Sequence, residues 1–466
     1  MIGTAGLSNH AVSTGQAITA PEFDQLMALF APFEDQPSVA IGLSGGPDSM
    51  ALALLLKEWI TARGGHLRAL TVDHGLREDS GAEARWVAAR MAEEGVDHDV
   101  LPWKGEKPNT AIQSAARQAR HRLLTDFCSR HGILHLVMAH HLDDQAETLL
   151  LRVRQGSGPD GLAAMAPIRD LGSCRLLRPL LGVPKVRLLA SLQAQGQSWV
   201  EDPSNRDQSF ERVRLRQCLP ALADQGMTAP GLSDLAAAMG KTRHVLDRAA
   251  AASLATTCRL HPAGFVTLDR ARFLALSPFL ARRALGFCLA AVRGRPYGPG
   301  PDAIESLFRH LSVHKPGFAS QHGCLIGSYK DQILVFREPG RTERQRVIPG
   351  NALLWDHRFL VNLAEMGPQE PISIGPLTAL GVDTVSHWTK THEKSAPTGS
   401  LNGSLPPKII WPALPAFWSK NQKSGDYRLI SAPHLGYLEA GFPQGWLTSC
   451  RFLPERGPLT MAFTLV

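Results

Sequence analysis

The sequence lacks closely spaced cysteines. Its seven cysteines stand 30 or more residues apart, at Cys128, Cys174, Cys218, Cys258, Cys288, Cys324 and Cys450. This spacing contains neither a CxxC pair, which often holds a metal, nor the dense cysteine pattern of a secreted disulfide-bonded domain. The odd number also fits a reducing compartment. We therefore expect buried apolar thiols.

Long apolar runs are also missing, and so are basic residues near the N-terminus. The best candidate for a membrane span, residues 273–292, is interrupted by Arg282 and Arg283, whereas a helix that crosses a bilayer needs about 20 apolar residues. No Lys or Arg precedes Lys57, and no apolar segment follows Met1 as an export signal requires. We therefore expect a cytoplasmic protein without a membrane partner.

Charge is distributed unevenly along the chain. The formal net charge is +7, with about −3 in residues 1–230 and about +10 in residues 231–466. A basic rear half favours a polyanionic partner such as nucleic acid. An excess of Lys and Arg can also form an ordinary solvated surface, so charge alone leaves both interpretations open.

The first 230 residues alternate between short apolar runs and helical patterns. Alternation of this kind is typical of an α/β fold, a Rossmann-like parallel sheet with helices on both faces and ligands at the carboxyl ends of its strands. The predicted strands cover residues 38–43, 66–72, 96–101 and 133–139, and the predicted helices cover residues 50–62, 82–94, 109–130 and 143–154.

The length of 466 residues predicts two or three domains. Residues 1–35 form an N-terminal extension in this interpretation, and residues 36–228 form the Rossmann-like domain, ending in a charged connecting helix within 202–222. Residues 229–338 are predicted to form a helical α+β domain. After a polar linker, residues 347–466 are predicted to form a small β-rich domain with a polar loop at 391–404.

The loop after the first predicted strand carries the most informative motif. It reads Ser44-Gly45-Gly46-Pro47-Asp48-Ser49. Glycines permit positive φ and bring backbone N–H groups close to an anion, and the following helix directs its N-terminus to the same point. The loop lacks the Gly-Lys-Ser/Thr end of a Walker A motif and contains the carboxylate of Asp48 instead. Because a carboxylate and phosphates repel each other, Asp48 in this loop indicates that Mg²⁺ lies between it and the bound phosphates.

Polar residues also follow the second and fourth predicted strands. Asp73 and His74 stand where a nucleotide base or ribose would lie in this fold, and the alternative interpretation is a turn that caps the next helix. With a helix starting near His141, the side chains of His140, Asp144 and Glu147 share one face. Clustered carboxylates there suit Mg²⁺ or an amine nucleophile. Helix capping would explain one aspartate but not the whole cluster, and a zinc site lacks a second ligand pair.

Basic residues and a second glycine-rich loop complete the set of motifs. Arg117 and Arg120 are three residues apart on a predicted helix, and Arg212, Arg214 and Arg216 alternate along the connecting helix. All five could be surface charges. Between them lie a glycine-rich loop at 154–162 and the motif Glu201-Asp202-Pro203-Ser204-Asn205.

The SGGxDS loop resembles that of the PP-loop ATP pyrophosphatases, and the ordered motifs at 72–77, 139–148, 154–162, 201–205 and 212–216 resemble the tRNA(Ile)-lysidine synthetase family within that superfamily. The resemblance is close over residues 36–225 and weak from residue 351 onward, apart from 405–406 and 412–418. It implies an ATP-dependent ligase that adenylates the wobble cytidine of tRNA-Ile with a CAU anticodon and then joins free L-lysine to C2. AMP and pyrophosphate are released.

The resemblance also implies roles for individual residues. The nucleotide would be bound by Ser44, Gly45, Gly46, Pro47, Asp48, Ser49, Asp73 and His74. Catalytic roles would fall to Asp48, Asp144, Arg117, His140 and Arg212. Mg²⁺ would be held by Asp48 and Asp144. The two rear domains would bind tRNA, and the sequence leaves the oligomeric state open, with a homodimer among the possibilities.

Three other functions compete with this interpretation. A PP-loop tRNA thiolase often uses paired cysteines, and this chain has no CxxC. An amidotransferase-type nucleotide synthetase needs an ammonia source, and no glutaminase domain is evident. A non-catalytic nucleotide-binding module would explain the glycine-rich loop but not the carboxylate cluster.

Overall fold

The computed structural model of the protein describes residues 15–75, 80–105, 107, 112–200, 211–313, 317–365, 371–391, 406–420, 425–440, 442 and 445–454. Several predicted features lie wholly or partly outside these residues. They are the N-terminal extension at 1–35, the end of the 72–77 motif, the helix start at Asn109, the 201–205 motif, the start of the connecting segment at 202–222, most of the 391–404 loop, Leu405 and the end of the 347–466 domain. The chain forms two compact units, the first ending at His244 and the second running from Val245 to Phe463.

The first unit contains the predicted alternation of strands and helices. In chain order its elements are α1 (Ala20–Ala28), β1 (Ser38–Gly42), α2 (Pro47–Thr61), β2 (His66–Asp73), α3 (Ser80–Glu93), β3 (Asp97–Pro102), α4 (Ile112–Arg130), β4 (His135–Val137), α5 (Leu142–Arg154), α6 (Pro159–Leu162), β5 (Ile168–Asp170), β6 (Arg175–Leu177), α7 (Lys185–Ala194) and α8 (Glu211–Asp224). The helix α9 (Ala229–Thr257) runs across the boundary between the units.

One six-stranded sheet organises this unit, in the order β3-β2-β1-β4-β6-β5. β3, β2, β1, β4 and β6 pair in parallel, which confirms the predicted parallel sheet. The edge strand β5 is antiparallel to β6. Only four residues, 171–174, connect β5 to β6, with Gly172 at a φ of +83°. So short a connection permits only antiparallel pairing.

Apolar side chains of the sheet pack against helices on both faces. On β1, Val39 and Ile41 belong to the core shared with α1, α2, α3 and α7, while Ala40 lies on the other face in the core that includes Leu124 and Phe127 of α4. Alternate residues of a strand point to opposite faces, so one central strand serves both cores. The helices on both faces confirm the predicted fold class.

The second unit is built from helices and antiparallel sheets. Its further elements are β7 (Cys258–His261), β8 (Phe265–Asp269), α10 (Arg270–Leu274), α11 (Pro278–Arg293), α12 (Pro301–Ser312), β9 (Phe318–Gln321), β10 (Cys324–Tyr329), β11 (Gln332–Arg337), β12 (Gln345–Arg346), β13 (Ala352–Trp355), β14 (Phe359–Leu363), β15 (Ile372–Pro376), α13 (Thr378–Thr391), β16 (Pro415–Lys420), β17 (Tyr427–Ala432), β18 (Tyr437–Leu438) and β19 (Leu447–Phe452).

In the described residues, these strands form three sheets, in the orders β7-β8-β11-β10-β9, β12-β15-β16-β17-β18 and β13-β14-β19. Phe265 and Phe336 of the first of these sheets lie in one buried cluster with Leu377, Trp411 and Trp418. The segments on either side of the polar linker therefore share a hydrophobic core. Within the described residues, no helix has both the length and the apolar character that a membrane span requires.

A buried ionic cluster also joins these segments. Asp356, 8% exposed, contacts Arg337 Nε at 3.0 Å, Arg358 Nε at 2.7 Å and Arg293 Nη1 at 3.8 Å. Arg358 is 1% exposed and donates from Nη1 to the carbonyl oxygens of Val292 and Gly264. Burial lowers the pKa of Arg358 to about 10, so the guanidinium remains charged at neutral pH. One carboxylate thus serves three guanidinium groups in the interior of this unit.

We predict that Asp356→Asn destabilises the second unit by about 3 kcal/mol, because removing one partner leaves buried charges uncompensated. Asparagine matches aspartate in size and tolerates the backbone φ of +49° at this position. Hydrogen–deuterium exchange of the full chain should show faster exchange in β10, β11 and β14. Asp383→Asn, an exposed change of the same charge on α13, is the control; equal exchange in the two variants would contradict the prediction.

Candidate active site

The candidate site lies at the carboxyl ends of the central strands. β1 is paired with β2 on one side and with β4 on the other, so the loops that follow these three strands emerge at one edge of the sheet. The chain leaves β1 towards β2 and returns later to β4, which makes the β1–β4 boundary the switch point where α/β sheets bind ligands. The predicted motifs at 44–49 and 140–147 follow β1 and β4.

The loop after β1 is held by its own serines. The Ser49 hydroxyl donates to the Gly46 carbonyl oxygen at 3.0 Å, and the Ser44 backbone N–H donates to Ser49 Oγ at 3.2 Å. α2 begins at Pro47, which lacks the N–H that a first helical residue would leave unused. The free N–H groups of the first helical turn and the helix dipole therefore favour an anion at this end of α2.

Gly45 allows the loop to pack tightly. Its φ is +80°, and a Cβ added there would lie 2.8 Å from Val87 Cγ2. The Gly45 carbonyl oxygen also accepts a hydrogen bond from the Val200 backbone N–H at 2.9 Å. Both the left-handed backbone and the lack of space require glycine at this position.

Asp48 enters a charged cluster with the residues after β4. Its Oδ2 lies 3.5 Å from His141 Nε2 and 3.4 Å from Lys185 Nζ. His141, 2% exposed, is also 3.4 Å from Asp143 and 3.5 Å from Asp144. Burial alone would lower the pKa of His141, but the contacts with Asp143, Asp48 and Asp144 outweigh it and raise the pKa to about 10. The protonated His141 therefore attracts the carboxylates of Asp48, Asp143 and Asp144.

The carboxyl group of Asp48 is suited to a metal ion. Burial would raise its pKa, yet His141 and Lys185 hold the pKa below the ordinary value, so the group is ionised. Its Oδ1 is buried without a hydrogen-bond partner among the described residues. Among the described residues, no group of three or more His, Cys, Asp or Glu side chains is arranged to hold a metal ion by itself. Mg²⁺ typically uses one or two carboxylates together with phosphate oxygens, and Asp48 with its unused oxygen fits that pattern.

Asp144 and Asp143 each have a local structural role as well. Asp144 Oδ2 accepts the backbone N–H of His141 at 3.1 Å and so caps the start of α5. Asp143 Oδ2 accepts the backbone N–H of Lys185 at 2.9 Å, which ties the start of α7 to the site. Capping accounts for one oxygen of Asp144, and its assignment as a metal ligand stays a prediction.

The residues after β2 form a compact turn. Asp73 Oδ1 accepts the Gly75 backbone N–H and the Ser80 hydroxyl, both at 2.9 Å. His74 Nε2 is 3.2 Å from an Nη of Arg120. Burial and the charge of Arg120 lower the pKa of His74 to about 4, so its ring is neutral, and Nδ1 is buried with no partner in the described structure. A neutral ring nitrogen of this kind can hydrogen-bond a base or a ribose.

Several arginines concentrate positive charge beside this edge. The side chain of Arg117 on α4 is exposed, but nearby protein removes part of its hydration. That loss, followed by the charges of Arg212, Arg120, Arg169 and Arg152, lowers its pKa. Arg117 and Arg212, both predicted from sequence, are thus near enough to repel each other. A repelling group of cations is typical of a site that binds a polyanion.

His140 faces this basic group and not the carboxylates. Arg178, which is 5% exposed, donates from Nε to His140 Nδ1 at 3.3 Å and from Nη1 to the Ala166 carbonyl oxygen at 2.6 Å. Burial, Arg178 and Arg117 hold the pKa of His140 well below its usual value. With Nδ1 accepting, the ring proton is assigned to Nε2, so His140 is a neutral hydrogen-bond donor.

Glu147 completes the carboxylates on α5. It is 1% exposed, and its Oε1 accepts a hydrogen bond from Arg216 Nε at 2.7 Å. Its Oε2 is buried and has no partner in the described structure. Arg216, one of the alternating arginines of α8, therefore has a specific structural partner, and Glu147 keeps one oxygen for another donor.

Sequence reasoning missed two contributors to the site, Lys185 and Arg178. Both follow β6, a three-residue strand that was not predicted; Arg178 comes directly after it. His141 was part of the predicted cluster, but its role as the cation between the carboxylates was not. Recognising 175–177 as a strand would have drawn attention to the residues after its carboxyl end.

The fold and the site define an ATP-binding PP-loop protein, and residues 19–222 match the family described as PP-loop domain. Over 428 residues the chain is 35% identical to a tRNA(Ile)-lysidine synthase of Ruegeria pomeroyi, covering 91% of this chain and 94% of that protein. The chain belongs to the tRNA(Ile)-lysidine synthase family.

Two further comparisons cover part of the chain. A tRNA(Ile)-lysidine synthase of Methylobacterium sp. is 43% identical over 319 residues, which cover 66% of this chain and 91% of that protein. Among solved structures, a U34-tRNA thiolase of Methanococcus maripaludis aligns with 47% of this chain and 77% of its own, at 20% identity and a TM-score of 0.41.

We predict that Gly45→Ala weakens ATP binding at least tenfold, the equivalent of about 1.4 kcal/mol. The added Cβ would meet Val87 and would also force a left-handed backbone on alanine, which costs about 1–2 kcal/mol. Gly196→Ala is the matched control, because Gly196 has a φ of +63° and open space around it. Equilibrium binding of ATP measures the effect; equal affinities in both variants would contradict the proposed close approach of this loop to phosphate.

Proposed function

We propose that this chain joins L-lysine to C2 of the wobble cytidine of tRNA-Ile with a CAU anticodon, with ATP converted to AMP and pyrophosphate. The observation that carries the proposal is the PP-loop with its carboxylate cluster in a chain that aligns with 94% of a tRNA(Ile)-lysidine synthase. The family membership supports tRNA-Ile as the substrate, and the site supplies groups for each step.

In the first step the C2 oxygen of the cytidine attacks the α-phosphorus of ATP, and pyrophosphate leaves. The loop at 44–49 and the first turn of α2 would bind the pyrophosphate portion through N–H groups and serine hydroxyls. Asp48 and Asp144 would hold Mg²⁺, which when bound offsets negative charge on the phosphates. His74 and Asp73 lie where they can contact the adenosine portion.

In the second step the neutral ε-amine of lysine attacks C2, and AMP leaves. Carboxylates attract the amino groups of lysine, and Glu147 Oε2 is a buried acceptor without a partner in the described structure. His140 can donate from Nε2 to an oxygen of the nucleotide. The amine loses a proton on forming the new bond, and a carboxylate of this cluster can accept it.

The arginines have a different task in this proposal. Arg117 and Arg212 already repel each other, so a phosphate between them relieves that repulsion. Preorganised cations of this kind stabilise charge that develops on the transferred phosphoryl group without having to reorganise. The same cations would contact the backbone of the anticodon loop.

A thiolase is less compatible with the cysteines. Cys128 and Cys174 lie in the core behind the sheet, 0% and 5% exposed. The hydrogen bond with Cys174 and burial raise the pKa of Cys128, so it stays a thiol and a poor nucleophile. These two cysteines are buried, as the sequence predicted, whereas Cys218 is exposed, contrary to that expectation.

The proposal is tested by pyrophosphate release and by incorporation of labelled lysine into tRNA. We expect pyrophosphate release to require the CAU-anticodon tRNA, and the labelled product to require lysine. Replacing lysine with glutamine or a sulfur donor should give no modified tRNA. Product formation with a sulfur donor instead of lysine would contradict the proposal.

In the same assay Asp48→Asn should lower pyrophosphate release by about 100-fold or more, because the carboxylate that would face the phosphates is lost. Binding of tRNA should be nearly unchanged. Asp143→Asn is the control, since it removes another partner of His141 but leaves Asp48 in place. Equal losses in the two variants would mean that Asp48 acts mainly by holding His141.

We further predict that Arg117→Ala lowers turnover by about 100-fold without lowering the melting temperature. Its stability effect is small because removing Arg117 also removes repulsion from Arg212 and Arg120. Arg122→Ala, an exposed change on the same helix, should leave turnover unchanged. A melting temperature that falls together with activity would indicate a structural role for Arg117.

A further inference from the structure

The second unit contains an arginine-rich cavity of about 640 Å³. Six of the residues that line it carry the argument: Arg293, Arg295, Tyr297, His322, Arg337 and Arg341. All of them belong to the second unit, and the proposed chemistry uses none of them. A volume in this range is typical of pockets for small molecules or single nucleotides.

Three chain segments build the cavity. Arg293 ends α11, and Gly294, with φ +68°, turns the chain so that Arg295 and Tyr297 follow at the rim. His322 and Gly323 form the turn between β9 and β10, where His322 Nε2 hydrogen-bonds the Tyr297 carbonyl oxygen at 3.1 Å. A Cβ on Gly323 would lie 2.6 Å from Arg337 Nη1, so glycine lets this guanidinium reach the cavity wall.

The positive charges around the cavity exceed the negative charges. Arg337 and Arg293 share Asp356 with the buried Arg358. Arg341, 66% exposed, pairs with Glu338 at 3.2 Å. For Arg295, which is exposed, the described residues provide no ion pair. The two carboxylates, Asp356 and Glu338, therefore face five guanidinium groups.

The pKa shifts of Arg293 and His322 agree with an excess of positive charge around the cavity. Burial, followed by the charge of Arg337, lowers the pKa of Arg293 despite the nearby Asp356. The pKa of His322 is also lowered, first by burial and then by Arg293, Arg295 and Arg337, although its hydrogen bond to Tyr297 opposes the shift. The ring is therefore neutral at pH 7. An anion in the cavity would reduce the repulsion among the arginines.

We propose that this cavity binds the phosphate group of a nucleotide. Guanidinium groups bind phosphate oxygens through paired N–H donors, and Arg295 and Arg341 at the rim can turn towards a ligand. Tyr297, 62% exposed, presents a ring on which a base can stack. The nucleotide is either an unpaired nucleotide of tRNA or a free nucleotide; the first source rests on the proposed function.

The test uses the full-length chain with the double variant Arg295→Gln, Arg341→Gln. Both side chains are exposed, so the change should preserve folding, which a thermal melt verifies. Arg259→Gln together with Arg309→Gln is the matched control, because it removes the same charge from exposed positions of the same unit. Affinity for the CAU-anticodon tRNA transcript is measured at several salt concentrations, and CMP binding is measured by calorimetry with the ATP site saturated.

For an RNA ligand, we expect the double variant to bind tRNA at least tenfold more weakly. The plot of log affinity against log salt should also become less steep by about 1 to 2 units. The control should keep most of the wild-type affinity. Tyr297→Ala should weaken tRNA binding without changing the salt slope, because a stacked base releases no counterions, whereas Tyr297→Phe should bind like wild type.

For a free nucleotide, tRNA affinity stays the same in all variants, but wild type binds one equivalent of CMP that the double variant does not. If the double variant matches the control in both measurements, the cavity does not bind nucleotide phosphate and the inference is wrong. Lysine incorporation by the wild-type chain is measured in parallel. That activity tests the proposed function separately, because it can be present whether or not the cavity binds a nucleotide.

Discussion

The position of β1 between β2 and β4 is the constraint on which the candidate site depends. The register pairs Gly42 with Leu70 and Ile41 with Val137, so β1 and β4 end within one residue of each other and β2 runs three residues further. The phosphate loop, the Asp73–His74 turn and the start of α5 follow directly from these ends. The contact between Asp48 and His141 exists because two segments almost 100 residues apart leave adjacent strands.

The charges of the first unit are separated into two groups with different tasks. Asp48, Asp143 and Asp144 surround one imidazolium and suit a metal ion or an amine. Arg117 and its neighbours on α4 and α8 suit phosphates. His140 is attached to the second group through Arg178, although it is adjacent in sequence to His141 of the first. His140 is thus neutral and its neighbour His141 is protonated, because arginines surround the first ring and carboxylates surround the second.

Sequence patterns predicted the parallel sheet and four of its strands, since apolar periodicity and glycine-rich turns are local signals. The roles assigned to the site residues stay predictions. β5 and β6 were missed because each has only three residues, and neither a longer apolar run nor an alternating pattern marks it in the sequence. Lys185 and Arg178 were missed with them. Arg358 could not be found, because an isolated arginine in a sequence usually lies on the surface, and only tertiary packing shows that this one is 1% exposed.

The carboxylate of Asp356, which Arg337 and Arg358 share, restricts how the sequence of the second unit can change during evolution. Asp356 is the partner of Arg337 and Arg358, and both arginines also hydrogen-bond backbone carbonyl oxygens of other segments. A lineage that replaced the aspartate first would pass through an intermediate with unneutralised interior charges. Replacing a whole buried ionic group by apolar residues of similar volume is often neutral, whereas removing one partner alone is destabilising. Related sequences should therefore retain or lose these residues as a set.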